Sequence, residues 1–128
     1  MSTTSASFVL GVFNNVRLVN LNNGIDVGQN ARASISNSTI SGNIANGVLA
    51  SNATAVINVS NSQIAFNELV GVNASVSGSL IRLSNNDIHN NSTGINIAGG
   101  ATVQSAINNR VVGNGPSAPP NGTAIPTQ

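Results

Sequence analysis

A nine-residue motif recurs along this chain at an almost fixed interval, and that interval limits what the chain can fold into. It reads Ile35-Ser-Asn37-Ser-Thr-Ile40-Ser-Gly-Asn43, then Val59-Ser-Asn61-Ser-Gln-Ile64-Ala-Phe-Asn67, then Leu83-Ser-Asn85-Asn-Asp-Ile88-His-Asn-Asn91. A looser copy is Ala106-Ile-Asn108-Asn-Arg-Val111-Val-Gly-Asn114. The closing Asn moves from 43 to 67, 91 and 114, steps of 24, 24 and 23 residues. A second half follows each motif, as Asn46-Gly47-Val48, Val70-Gly71-Val72 and Thr93-Gly94-Ile95, and an earlier copy stands at Asn23-Gly24-Ile25. A fixed period of this size means a stack of identical supersecondary units, each too small to bury its own apolar side.

Each unit holds short β-branched stretches with period-two alternation, such as Ala33-Ser34-Ile35, Ile57-Asn58-Val59 and Ile81-Arg82-Leu83. The apolar members point inward and Ser34, Asn58 and Arg82 outward. Asn, Gly and Ser between the stretches supply turns, and no segment keeps a helical period. Stacking the units about 4.8 Å apart pairs every strand with the unit above and below. Equivalent residues then form columns: Ile40, Ile64, Ile88 and Val111 in one, and Ile25, Val48, Val72 and Ile95 in another. Asn37, Asn61, Asn85 and Asn108 are expected to form an internal amide ladder, and Gly24, Gly47, Gly71 and Gly94 to take positive φ at the turns. The fold class is all-β: a right-handed parallel β-helix, or β-solenoid, of about five coils. Residues 1–115 make the helix, including an irregular N-terminal strand or partner-facing edge around Phe8–Phe13. Residues 116–128, with four Pro that cannot donate ladder hydrogen bonds, make an extended tail over the last coil.

Charged side chains are only 5% of the chain, against about 25% in ordinary domains. The polar role falls to Asn, Ser and Thr, so little charge repulsion opposes self-association. Arg17, Arg32, Arg82 and Arg110 are scattered, with no Lys, Trp or Tyr, which excludes a basic stripe with stacking rings for nucleic acid. No stretch approaches a membrane span, and Met1–Leu10 has an apolar run only at Phe8-Val9-Leu10 without a basic flank, so no export signal is expected in this chain. There is no Cys, hence no disulfide or thiolate chemistry.

The pattern Asn-x-x-Ile-x-x-Asn-x-x-x-Gly-Ile/Val resembles the repeat of the pectate-lyase-like superfamily. More closely, Val16–Gln128 is similar to the C-terminal part of bacterial right-handed parallel β-helix repeat-containing proteins. The ending, Asn108-Asn-Arg-Val-Val-Gly-Asn114-Gly with Ala124-Ile-Pro-Thr-Gln128, carries part of that likeness. The resemblance implies an exported protein of the cell envelope or exterior, with further coils and a signal upstream.

A lyase site needs several carboxylates on adjacent coils to hold calcium, and a hydrolase needs two facing each other. The only acids are Asp26, Glu68 and Asp87, and the repeat places them at three different coil positions, so no catalytic residue and no cofactor or metal is assigned. Asp87 and Arg110 align and are read as a cross-coil ion pair. His89 aligns with Ser41 and Ala65, roughly with Arg17, and is read as a surface residue lacking a second His. Thr39 aligns with Gln63, Asp87 and Arg110, which removes the regular Thr row of an ice-binding face. Phe66 and Leu69, beside Glu68, replace small or polar residues of other coils. They either pack locally, the commoner outcome, or form an exposed patch, and Phe66, Glu68 and Leu69 are the candidate contact patch. The expected function is that of a non-catalytic scaffold acting by surface binding or self-association through coil ends or sides. The alternative is a fragment of an exported polysaccharide-binding or polysaccharide-cleaving β-helix whose active coils lie elsewhere, with carbohydrate as partner.

Overall fold

The computed structural model describes residues 7–126. Among the described residues, fourteen short strands wind into about five coils. The first coil is β1 (Val9–Asn14), β2 (Arg17–Val19) and β3 (Ile25–Val27). The second is β4 (Ala31–Ser36), β5 (Thr39–Ser41) and β6 (Asn46–Ala50), and the third β7 (Val56–Ser60), β8 (Gln63–Ala65) and β9 (Val70–Ala74). The fourth is β10 (Leu80–Ser84), β11 (Asp87–His89) and β12 (Thr93–Ile97); β13 (Thr102–Ser105) and β14 (Arg110–Val112) begin a fifth. Every pairing is parallel, in three sheets ordered β1-β4-β7-β10-β13, β2-β5-β8-β11-β14 and β3-β6-β9-β12. The chain is a right-handed parallel β-helix.

Registers put both aliphatic columns where the repeat predicts them. Leu18, Ile40, Ile64, Ile88 and Val111 are successive partners, as are Ile25, Val48, Val72 and Ile95. Ile40, Ile64 and Ile88 are completely buried, each burial stabilising by about 1.5–3 kcal/mol.

The amide ladders differ from expectation. Asn37, Asn61 and Asn85 sit in left-handed conformation (φ +52°, +48° and +53°) at the first corner, exposed rather than internal, and Asn108 is exposed too. An amide is well suited to that backbone because its short polar chain bonds locally. These residues do bond to one another outside the helix: Asn85 Nδ2 donates to Asn61 Oδ1 at 2.7 Å. The residues one step on, Ser38, Ser62, Asn86 and Asn109, turn inward instead, and each coil's N–H there donates to the side-chain oxygen of the next coil. The fully buried ladder is Asn43, Asn67 and Asn91, closed by a half-buried Asn114. Asn43 Nδ2 donates to Asn67 Oδ1, Asn67 Nδ2 to Asn91 Oδ1, and Asn91 Nδ2 to Asn114 Oδ1, at 2.8, 2.8 and 2.9 Å. Each Oδ1 also accepts the backbone N–H of the preceding coil's Asn. The corner therefore leaves no amide group of the core unpaired.

Gly24, Gly47, Gly71 and Gly94 are not among the positive-φ residues, contrary to the turn reading. They lie in or against the third sheet because nothing larger fits beside the Asn ladder. A Cβ on Gly47 would stand 2.8 Å from Asn67 Nδ2 and 2.7 Å from the Gly71 carbonyl.

At the N-terminus, β1 is a regular strand, paired with β4 throughout its length, not an irregular one; residues 1–6 of the expected first unit lie outside the described residues. At the other end residues 116–125 continue the winding past β14, first against β12 and then against β13. Gly94 N–H donates to the Pro116 carbonyl, Ala118 N–H to the Ile95 carbonyl, Asn121 and Gly122 N–H to the Val103 carbonyl, and Ile125 N–H to the Ser105 carbonyl. The Asn121 amide clamps β13 twice, accepting from Val103 N–H at 2.8 Å and donating to the Ala101 carbonyl at 2.9 Å. Asn121 thus supplies the hydrogen bonds of a strand that Pro119 and Pro120 could not make.

Candidate contact surfaces

The acids stand on three different parts of the solenoid: Asp26 outward on β3, Glu68 on the second corner, Asp87 outward on β11. Among the described residues no three of His, Asp and Glu come together as metal ligands would. Asp87 and Arg110 pair as the alignment predicts, Nη2 to Oδ2 at 2.8 Å. That hydrogen bond, and then the negative charge behind it, raises the guanidinium pKa above its ordinary value. The other Asp87 oxygen is buried without a partner.

His89 pairs with Ala65, which in turn pairs with Ser41, as expected; the first-coil member of that column is Val19, while Arg17 belongs to the Thr39, Gln63, Asp87 and Arg110 column. Both imidazole nitrogens face amides, Gln63 at 2.9 Å and Asn90 at 3.1 Å. The Phe66 ring meets the imidazole edge-on, centroids 5.5 Å apart.

That ring is not tucked away. Phe66 is 57% exposed, Leu69 56% and Ile44, one coil below, 60%, so local packing does not hide the patch. Phe66 also carries φ +56°. The equivalent residues of other coils are Asn20, Gly42, Asn90 and Gly113, which all share the left-handed geometry and tolerate it. An aromatic side chain does not, and holding it there costs about 1–2 kcal/mol. Sequence comparison flagged the substitution; it could not show the strain. Ile44 was missed because one apolar residue in a polar corner carries no repeat signal.

The two ends of the stack are unlike. At the C-terminal end the strap covers β12 and β13, with β14 left open among the described residues, and roofs an apolar pocket of about 350 Å³ between Leu83, Ile95, Val111, Pro120 and Ala124. At the N-terminal end β1, β2 and β3 have no strand on their outer side among the described residues. Val9 N–H and Asn15 N–H both donate toward the second coil. Alternate peptide groups face opposite ways, so those of Leu10 and Val12 face the open side. Their side chains are exposed as well, Val12 by 69%, while Phe13 and Ile25 line a smaller pocket of about 180 Å³. Beside it Arg32 stacks 4.4 Å over the Phe8 ring.

Comparison with known proteins gives a family match over almost the whole described chain: the model of the right handed beta helix region matches residues 3–125. No curated protein and no solved structure matches.

Proposed function

The chain belongs to the right-handed β-helix family, and from that premise we propose that it works as a non-catalytic scaffold that self-associates through its N-terminal end. One observation carries the reading, the inequality of the ends: the strap covers β12 and β13, whereas among the described residues no strand pairs with the outer side of β1, where Leu10 and Val12 are exposed. An open edge of that kind is a template for another strand. With 5% charged residues, little repulsion opposes the approach of a second copy. The resemblance to exported β-helix proteins supports a place at the cell envelope or outside it.

The test is light scattering of the full chain across a concentration series, beside Val12→Pro. Proline removes only a donor that faces away from β4, so the ladder to β4 survives. Wild type should gain mass with concentration and Val12→Pro should stay monomeric with an unchanged circular dichroism spectrum. A wild type that is monomeric at every concentration, or a Pro variant that associates equally, would refute the reading.

A second reading is favoured by Phe66. A strained, exposed ring beside Gln63, His89 and Asn90 joins an apolar platform to hydrogen-bonding groups, the combination a sugar ring needs. Backbone strain of this kind concentrates at functional sites. Titration with a panel of neutral and acidic oligosaccharides, read at the Phe66 and His89 resonances, supports it if Phe66→Asn abolishes the response. No response from any glycan sinks it.

A further inference from the structure

We propose that the pocket beneath the C-terminal strap is a binding site for a small uncharged apolar molecule, an alkyl chain in particular. The space arises from the way the strap ends the stack. Regular winding would continue the stack with branched side chains over Leu83, Ile95 and Val111; the strap places Pro120, Gly122 and Ala124 there instead. These are too small to fill the volume, and about 350 Å³ remains, at the lower end of small-ligand sites. A second lobe of about 290 Å³ shares Ile95, Val111 and Pro120 and continues past Ser117, Ala118 and Pro119. The site is therefore elongated, with Val111 at the junction of the lobes.

The chemistry of the wall selects the ligand. No lining residue is charged. Asn109 spends its amide hydrogens on the Leu83 and Ala106 carbonyls and Ser105 Oγ, and its oxygen accepts from Asn86. Ser105 Oγ donates to the Ala106 carbonyl, and Ser117 Oγ accepts from Ile95 N–H. A polar ligand would find the Asn109 and Ser105 side chains engaged, with only the Ser117 hydroxyl hydrogen left to bond, and would lose its own hydration. An alkyl chain loses nothing and supplies the contacts missing above the core.

The experiment uses the full chain, methyl-labelled, titrated with n-octanol and followed by NMR, with glucose as the polar control. Saturable shifts at Leu83, Ile95 and Val111, with intermolecular NOEs from the alkyl protons to those methyls, are expected from octanol and not from glucose. Val111→Phe, which fills the junction, should weaken octanol binding by at least about tenfold, whereas Val112→Phe, on the same strand but outside both lobes, should not. Should Val111→Phe fail to fold, the wild-type NOEs decide alone. Absence of saturable shifts, shifts centred on Phe13 and Ile25 or on Phe66, or undiminished binding by folded Val111→Phe would overturn the proposal.

Discussion

Asn67→Ala removes the middle rung of the buried amide ladder, and the structure sets what should be lost. Asn67 is 1% exposed. Its Oδ1 accepts from Asn43 N–H at 3.2 Å and Asn43 Nδ2 at 2.8 Å, and its Nδ2 donates to Asn91 Oδ1 at 2.8 Å. The bond to the Ile40 carbonyl, 3.4 Å long, adds little. After truncation Asn43 Nδ2 keeps the Leu18 carbonyl and Asn91 Oδ1 keeps Asn67 N–H. The backbone N–H of fully buried Asn43 has nothing in exchange. An orphaned buried donor costs about 1–3 kcal/mol and each of the two further lost hydrogen bonds about 0.5–1.5, so a loss of about 2–6 kcal/mol follows. Asn114→Ala removes the same chemistry from the half-buried last rung, where water can replace it, and should cost about 1 kcal/mol or less. Urea denaturation of the two variants gives the difference, and hydrogen exchange gives its origin, since the Asn43 amide should lose protection only in Asn67→Ala. Equal losses at the two rungs, or an Asn43 amide as protected as in wild type, would show that the ladder is not what holds this corner.

Gly47→Ala should destabilise by about 1–3 kcal/mol through overpacking, and pairing it with Asn67→Ala should cost at least about 0.5 kcal/mol less than the two separate losses, measured as a double-mutant cycle. Phe66→Asn should raise the urea midpoint despite deleting an aromatic ring: relief of left-handed strain is worth about 1–2 kcal/mol, and the exposed edge contact with His89 only about 0.5. Removing residues 116–128 should lower the thermal midpoint and turn unfolding into aggregation seen by light scattering, because Ile95 and Val111 lose their cover; Asn121→Ala, which cuts only the clamp on β13, should cost about 1–2 kcal/mol. The Arg110 pKa is raised on folding, so any stability it contributes is complete below the unfolded value and lost only as pH climbs past it. Urea midpoints taken between about pH 8 and 10 should therefore show no drift that Asp87→Asn removes.

The aliphatic columns were legible because a period of 23 or 24 residues, laid over strand alternation, fixes both the partner and the face of Ile40, Ile64 and Ile88. The ladder was legible only as chemistry. Each coil holds several Asn, and spacing alone cannot say which side of a corner one of them faces. That choice turns on a single left-handed residue, which throws Asn37 outward and the next residue, Ser38, inward. The glycines misled for the same reason: Gly is common where φ is positive, yet Gly24 and Gly47 are small because an Asn amide and an Ile methyl approach them. The strap was visible as a run of prolines; its attachment through Asn121 was not, since that residue belongs to no repeat.

The scarcity of charge follows from the fold. In a stack of coils every outward residue has its own equivalent about 4.8 Å above and below. Two like charges at that spacing repel by about 1–3.5 kcal/mol for effective dielectric constants between water and protein surface, and a charged column repeats that penalty at each step. An amide column does the reverse, because Asn carries donor and acceptor together, as Asn96 shows by donating to Asn73 at 2.9 Å. The charges present respect this rule. Arg82 stands between Asn58 and Gln104 and donates to both; Arg17 pairs with Thr39; Arg32 lies between Leu10 and Val56. Among the described residues, the one strand pairing that sets two charges side by side joins opposites, Asp87 and Arg110. Lateral faces built this way are nearly uniform in chemistry and poor at distinguishing partners. Discrimination is then left to the places where the repeat breaks, which are the open first coil, the Phe66 corner and the strapped end.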